Sequence, residues 1–133
     1  MKKWIATIVV LVVITGIIYL TLQSPEDTGA LTKITQQYLS SVGINVGLKP
    51  LRHYIHYVLY FILGIATCNL CAVKNCKLRI GVLLGCGTGV LDECLKIWLP
   101  TREFDVFDLI RDFIGVVVAA LLSVLIRKIK AVK

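Results

Sequence analysis

Charged residues are scarce in this sequence. They make up 17% of its 133 positions, and aromatic residues make up 8%, whereas a soluble domain of this size carries about 25% charged residues. Hydrophobic residues instead reach 57%, and the mean hydropathy is +0.83. Because the apolar residues are also grouped into long segments, we predict that lipid is the solvent for much of the molecular surface.

Acidic residues are the rarer charged class, with eight Asp and Glu against fifteen Lys and Arg, which gives a net charge of +7. A basic chain can bind nucleic acid, but that function requires basic residues on a soluble face. Most of the bases here lie in short stretches between apolar segments, so we predict no nucleic-acid partner. The sequence also lacks a disulfide framework, since its five cysteines are irregularly spaced, and it lacks a nucleotide-binding loop or nucleophile elbow.

Four apolar segments are long enough to cross a hydrocarbon core of about 30 Å as helices. The first could instead be a signal peptide, but its charge-free run from Trp4 to Leu22 is longer than such peptides use, and no small-residue cleavage site follows it. We therefore predict one membrane domain over residues 1–133, an all-α integral membrane four-helix bundle. Its predicted transmembrane helices cover about residues 4–22, 51–72, 78–99 and 106–126.

The segment between the first two spans is the longest polar stretch. Ser24 and Pro25 resemble a helix N-cap and a first helical residue, and Gly43 fits a helix end. These features predict a short extracytoplasmic amphipathic helix lying on the membrane surface, with a loosely ordered loop as the alternative. The apolar residues that recur near helical spacing are Leu31, Ile34, Tyr38 and Val42.

The distribution of basic residues predicts the orientation of the chain. Nine of the fifteen lysines and arginines lie in the N-terminal segment, the connection between the second and third spans, and the C-terminal tail. These three segments share one side of a four-span bundle, and basic loops stay in the cytoplasm. We therefore predict a multi-pass protein of the cell membrane with both termini cytoplasmic.

Three of the predicted spans bring ionisable residues to the same depth. His56, Glu93 and Asp112 lie five or six residues inside the outer ends of their spans, which places them roughly 8–10 Å below the outer surface. Each lies on a helix face of small or polar residues, and such faces let membrane helices pack closely inside a bundle. The three faces comprise Arg52, His56, Tyr60, Gly64 and Cys68; Gly81, Gly85, Gly89 and Glu93; and Asp108, Asp112, Gly115, Ala119 and Ser123.

Charged groups inside a membrane should pair, since an unpaired charge at the bilayer centre costs about 2.5–3.5 kcal/mol. Two interpretations of the ionisable residues stay open. They hold the helices together, or they line a pocket open to the outer leaflet. The expected pairs are Arg52 or Arg111 with Glu93 or Asp112, and Asp92 with Lys96.

A metal site is a further interpretation of the same residues. His53 and His56 are three positions apart on one helix face and could bind a metal together with Glu93. Nearby cationic side chains would oppose a metal ion, so we predict no bound metal and no other cofactor. These cationic residues are Arg52, Lys96 and Arg111.

Four segments around these residues carry a resemblance to a known family. They are Arg52-His53-Tyr54-Ile55-His56-Tyr57 with Tyr60 and Leu63-Gly64, Gly89-Val90-Leu91-Asp92-Glu93, Leu99-Pro100-Thr101-Arg102-Glu103-Phe104-Asp105-Val106-Phe107-Asp108-Leu109, and Asp112-Phe113-Ile114-Gly115. Over about residues 50–120, their order and spacing resemble the VanZ family, named for an accessory protein of glycopeptide resistance. The sequence departs from the family pattern at Lys96, where Gln is usual, and at Asp112, where Asn is usual.

The resemblance implies a multi-pass membrane protein that contributes to glycopeptide resistance of the teicoplanin type or to another cell-envelope function. We expect the chain to bind membrane lipid, in the form of a lipid-linked cell-wall precursor, or a glycopeptide, at the outer leaflet and without catalysis. A homo-oligomer is compatible with the sequence. The expected ligand-binding residues are Arg52, His56, Glu93, Arg102, Asp108 and Asp112.

Two other functions stay open. The chain could be an enzyme acting on an outer-leaflet lipid, with Glu93 or Asp112 as base and His56 assisting. It could also be a small transporter, although four helices leave little room for a pathway within one copy, so a dimer would be needed.

Overall fold

The computed structural model describes residues 2–23, 25–100 and 102–132, including their side chains except those at 25–31, 49, 52 and 130–132. Over these residues the chain forms α-helices and no β-strand, which confirms the all-α prediction. The helices are α1 (Lys3–Leu22), α2 (Pro25–Ser41), α3 (Leu48–Lys74), α4 (Leu78–Ile97) and α5 (Val106–Val132).

Three of these helices are long and apolar enough to cross a membrane. They are α1, residues His53–Lys74 of α3, and residues Val106–Ile129 of α5, which correspond to the first, second and fourth predicted spans. Helix α4 takes the place of the third predicted span and is 20 residues long. Unlike the other three, α4 has no long stretch that is nearly free of charge, because Arg79 lies near its start and Asp92, Glu93 and Lys96 lie near its end.

Helix α3 lies at the centre of the bundle, where it packs against α1, α4 and α5. Two glycines allow α3 and α5 to approach each other closely. A Cβ atom added at Gly64 would lie 2.6 Å from the Cβ of Ala119, and one added at Gly115 would lie 2.8 Å from the carbonyl oxygen of Tyr57. The prediction that small residues form the facing surfaces of these helices is therefore confirmed.

Helix α4 packs through the glycine face that its sequence predicts. Gly81, Gly85 and Gly89 are all buried. A Cβ atom at Gly81 would lie 3.0 Å from the carbonyl oxygen of Thr67 in α3, and one at Gly85 would lie 2.9 Å from the methyl groups of Val116 in α5. The close contact of α4 with both helices brings its polar residues into the interior.

Large apolar side chains cover the outside of the bundle. Val12 on α1, Leu83 on α4 and Leu121 on α5 each expose more than 60% of their surface. Glu93 and Asp112, in contrast, are fully buried. This arrangement, with apolar residues outside and ionisable residues inside, is the one that a lipid solvent favours.

The predicted amphipathic segment is helical, as α2. The helix ends before Gly43, which has a φ of +85°, a left-handed conformation that favours glycine and terminates helices. The amide of Gln36 donates to the carbonyl oxygen of Val46, 2.8 Å away, and so ties the helix to the segment leading into α3. The predicted N-cap, Ser24, lies outside the described residues.

Candidate functional site

A group of ionisable side chains from three helices meets at one end of the bundle. We call it the buried ionisable cluster. Its members come from α3, α4 and α5, and they lie near the first turns of α3 and α5 and the last turns of α4. They are His56, Asp92, Glu93, Lys96, Asp108, Arg111 and Asp112.

His56 of α3 lies between two carboxylates of α5. Its Nδ1 atom is 3.0 Å from Oδ1 of Asp112, and its Nε2 atom is 3.5 Å from Oδ2 of Asp108. The two aspartates are four positions apart and therefore occupy the same face of α5. The predicted convergence of His56 with both aspartates is present in the structure.

Lys96 of α4 is buried and connects its own helix to α5. Its ammonium group pairs with Glu93, one turn earlier, and lies 3.8 Å from Oδ2 of Asp108. The expected pairing of Lys96 with Asp92 is therefore wrong. Asp108 of α5 lies near both Lys96 and His56. Its negative charge attracts the Lys96 ammonium group away from Asp92.

Arg111 also differs from its expected pairing. Its guanidinium group binds Asp108, three positions earlier on α5, rather than Glu93 or Asp112. Residues three apart share a helix face, so this pair needs no other helix to bring it together. Asp108 thus interacts with three groups, which are His56, Lys96 and Arg111.

Asp92 receives a hydrogen bond from a helix that the sequence did not connect with the site. The hydroxyl of Thr21, in the last turn of α1, donates to Oδ1 of Asp92. Both residues are buried. The sequence signal for this contact is Thr21 itself, a polar residue near the end of a largely apolar helix. The spacing of residues does not indicate which side of α1 faces the cluster.

Glu93 positions the connection between α4 and α5. Its second carboxylate oxygen accepts a hydrogen bond of 3.1 Å from the backbone N–H of Asp105. Asp105 in turn caps α5, because its carboxylate accepts from the N–H of Phe107 at 2.8 Å. The predicted site residue Glu93 therefore holds both Lys96 and the start of α5.

Arg102, another predicted site residue, is bound to the end of α1. Its guanidinium group donates to the carbonyl oxygens of Gln23, at 3.0 Å, and Leu20, at 3.4 Å. Carbonyls in the last turn of a helix have no partner within the helix, so Arg102 fastens α1 to the α4–α5 connection. The side chain of Arg52, the remaining predicted site residue, lies outside the described residues.

Two buried polar atoms next to the cluster have no hydrogen-bond partner among the described residues. They are the hydroxyl of Tyr60 and Oδ2 of Asp112. Gly89 of α4 faces the same place, since a Cβ atom added there would lie 3.4 Å from the Tyr60 ring and 3.6 Å from Oδ2 of Asp112.

One set of side chains in the cluster has the spacing of metal ligands. One ligand atom each from His56, Asp92 and Asp112 lie within 4.8 Å of one another. In the part of the chain that the structure describes, His53 does not belong to this set. The structure thus favours a different trio from the histidine pair and Glu93 that the sequence suggested.

Comparison with known proteins identifies the family. A family model described as VanZ/LLP1 matches residues 5–127, a longer stretch than the resemblance noted over residues 50–120. The match includes α1, which supplies Thr21 to the cluster. No curated protein and no solved structure matches the chain. Since the family model covers nearly all of the sequence, the chain belongs to the VanZ/LLP1 family of membrane proteins.

Proposed function

We propose that the chain crosses the cell membrane four times and binds the polar headgroup of a lipid-linked cell-wall precursor at the outer leaflet. A teicoplanin-type glycopeptide is the alternative ligand, and reduced susceptibility to it would be the consequence for the cell. The observation that carries the proposal is the buried ionisable cluster, whose more exposed members are His56 and Arg111, with 15% and 17% of their side chains exposed.

The packing of α4 supports a fourth crossing. Its charged residues Asp92, Glu93 and Lys96 are buried against the other helices, so they do not face lipid. The exposed face of α4 carries large apolar residues, including Leu83 and Leu91. A helix of 20 residues is about 30 Å long, which matches the hydrocarbon core.

Charge at the two ends of the bundle supports the orientation. The end opposite the cluster holds basic residues of the α3–α4 connection and of the end of α5, including Lys74, Lys77 and Arg127. Basic connections stay on the cytoplasmic side, so the cluster faces the outer leaflet. Both termini of the chain are then cytoplasmic.

A phosphorylated headgroup suits the exposed edge of the cluster. Arginine forms paired hydrogen bonds with phosphate oxygens, and such charge-assisted bonds are among the stronger ones in proteins. Arg111 is bound to Asp108 on one side and keeps part of its surface exposed. A headgroup at this edge would share Arg111 with Asp108 and reach His56 beside it.

Lipid retention on purified protein tests the proposal. We expect protein extracted in mild detergent to retain a lipid-linked precursor detectable by mass spectrometry, and Arg111→Ala to retain about tenfold less, because the removal of a charge-assisted contact costs about 1.5–3 kcal/mol. Arg111→Lys, which keeps the charge but loses the planar fork, should give an intermediate result. Arg127→Ala is the matched control, since Arg127 lies on the same helix at the opposite end.

Equal retention by Arg111→Ala and Arg127→Ala would contradict headgroup binding at this edge. Direct binding of teicoplanin to the same purified variants distinguishes the two ligands. If the glycopeptide is the ligand, teicoplanin should bind the purified protein directly, and Arg111→Ala should weaken that binding while lipid retention stays unchanged.

A further inference from the structure

We infer that His56, Asp92 and Asp112 bind one divalent first-row metal ion, of which Mn²⁺ and Zn²⁺ are the best fits. The trio supplies a ligand atom from each of three helices, α3, α4 and α5, with all three atoms within 4.8 Å of one another. Two of the three residues are buried and His56 is half-buried. The ion would sit where the three helices meet.

Among the described side chains, the cluster has more negative groups than positive ones, and a bound cation would offset the difference. Four carboxylates are buried there, those of Asp92, Glu93, Asp108 and Asp112. Lys96 pairs with Glu93 and Arg111 pairs with Asp108, so the two remaining carboxylates, Asp92 and Asp112, have no Lys or Arg partner among the described ion pairs. They are the two carboxylates of the trio.

Histidine does not remove this imbalance. Even if His56 is counted as a cation, the described side chains of the cluster comprise four negative groups and three positive ones. An uncompensated charge in a membrane interior is costly, and a divalent ion bound by both free carboxylates would offset it. Two of the cationic side chains that seemed to oppose a metal ion, Lys96 and Arg111, are paired with the other two acids.

Two buried side chains that each have an unpartnered polar atom lie beside Gly89. Oδ2 of Asp112 and the hydroxyl of Tyr60 are buried without a hydrogen-bond partner among the described residues, and buried polar groups are nearly always bonded. Both side chains lie within 3.6 Å of the position that a Cβ atom would take at Gly89. The absence of a side chain at Gly89 keeps this place clear for an ion.

The chemistry of the ligand atoms selects the class of ion. One imidazole nitrogen and two carboxylates suit Zn²⁺ and Mn²⁺, whereas Mg²⁺ and Ca²⁺ prefer oxygen ligands throughout. Thr21 would orient Asp92 by its hydrogen bond to Oδ1, as outer partners commonly do for metal-binding carboxylates. This site does not depend on the headgroup proposal, because its ligands belong to the chain itself.

Metal binding by the purified, delipidated protein tests the inference. The protein should carry an affinity tag without histidine, be stripped with EDTA and be titrated with Mn²⁺, with free Mn²⁺ followed by electron paramagnetic resonance. We expect about one ion bound per chain, and a loss of affinity of about tenfold or more in Asp92→Asn and Asp112→Asn. Asp112→Asn introduces the residue usual in the VanZ pattern, so its fold should persist.

Two controls make the outcome decisive. Glu103→Gln removes an exposed carboxylate of the α4–α5 connection and should bind Mn²⁺ as the unaltered protein does. Blocking the accessible thiols of Cys76 and Cys94 should also leave Mn²⁺ binding unchanged, since thiolates favour softer ions. No saturable binding of Mn²⁺ or Zn²⁺, or equal binding by Asp112→Asn and Glu103→Gln, would overturn the inference.

Discussion

The partner that a buried charged side chain takes depends on neighbours from other helices. Lys96 lies three positions after Glu93 and four after Asp92, and both spacings bring side chains together on a helix. The sequence therefore could not decide between these acids. The position of Asp108 of α5 selects Glu93 as the partner. Asp108 lies 3.8 Å from the Lys96 ammonium group and attracts that group toward Glu93.

The convergence of His56 with Asp112 was predictable, but the role of Thr21 was not. His56 and Asp112 each lie a similar number of residues from the outer ends of their spans, so depth alone places them together. Thr21 has a suitable depth as well, near the end of α1. Its contact with Asp92 depends on the rotation of α1 about its own axis, which an almost uniformly apolar helix does not specify.

Replacement of Thr21 by valine tests the importance of its hydrogen bond. Thr21→Val keeps the shape of the side chain and removes the donor to Asp92, so a buried carboxylate loses a partner. We expect the free energy of unfolding in mixed micelles to fall by about 1–3 kcal/mol.

Thr7→Val is the matched control on the same helix. The hydroxyls of Thr7 and Thr21 each lie 3.1 Å from the carbonyl oxygen four residues earlier, but Thr7 is half-buried and has no contact with Asp92, whereas Thr21 is buried beside it. Equal losses of stability in the two variants would mean that the helix backbone contact, and not Asp92, accounts for the effect.

At the scale of helices, the pattern of small residues predicted which faces meet. Gly64, Gly85 and Gly115 recur on faces that the structure buries, and their missing side chains set the distances between α3, α4 and α5. The ends of the helices were less predictable. Helix α3 begins at Leu48 because Pro50 lies in its first turn, where proline is tolerated. Helix α5 extends to Val132 because good helix formers continue it beyond its apolar segment.

Substitution of Gly64 by alanine tests the close packing of α3 on α5. The added Cβ would lie 2.6 Å from the Cβ of Ala119 and 3.0 Å from the Cα of Val116, so the helices would have to move apart. We expect Gly64→Ala to lower the free energy of unfolding by about 1–3 kcal/mol, as overpacking usually does.

The control is a glycine of α4 that has open space around it. A Cβ atom at Gly87 would meet nothing within 4 Å, and alanine is favoured over glycine within helices by about 0.5–1 kcal/mol. Gly87→Ala should therefore be neutral or stabilising. A comparable loss of stability in both variants would show that alanine is harmful for a reason other than the α3–α5 contact.

At the scale of the whole molecule, the bundle combines an apolar core, which includes Leu63 and Val116, with an apolar exterior. Its hydrophobic residues cover the exterior, and its acids and bases meet within. The composition alone predicted the membrane location, which family membership supports. Helix α4 is not among the helices that are apolar enough to cross a membrane, and only its packing shows that its charged residues face inward.

Accessibility of residues on either side of α4 tests whether this helix crosses the membrane. In protein with Cys76, Cys86 and Cys94 replaced by serine, we expect Glu103→Cys to react with an impermeant maleimide on intact cells. Lys77→Cys should react only after permeabilisation, because the α3–α4 connection is predicted to be cytoplasmic. Labelling of both positions from the same side would show that α4 does not cross.

The contact between Thr21 and Asp92 also has a consequence for biosynthesis. The two residues are 71 positions apart in the chain, so the first helix leaves the ribosome long before its carboxylate partner. Until the later segments have been translated, the Thr21 hydroxyl has the carbonyl of Ile17 as its available acceptor. The first helix therefore acquires its final neighbours late, after Asp92 and Arg102 have been synthesised.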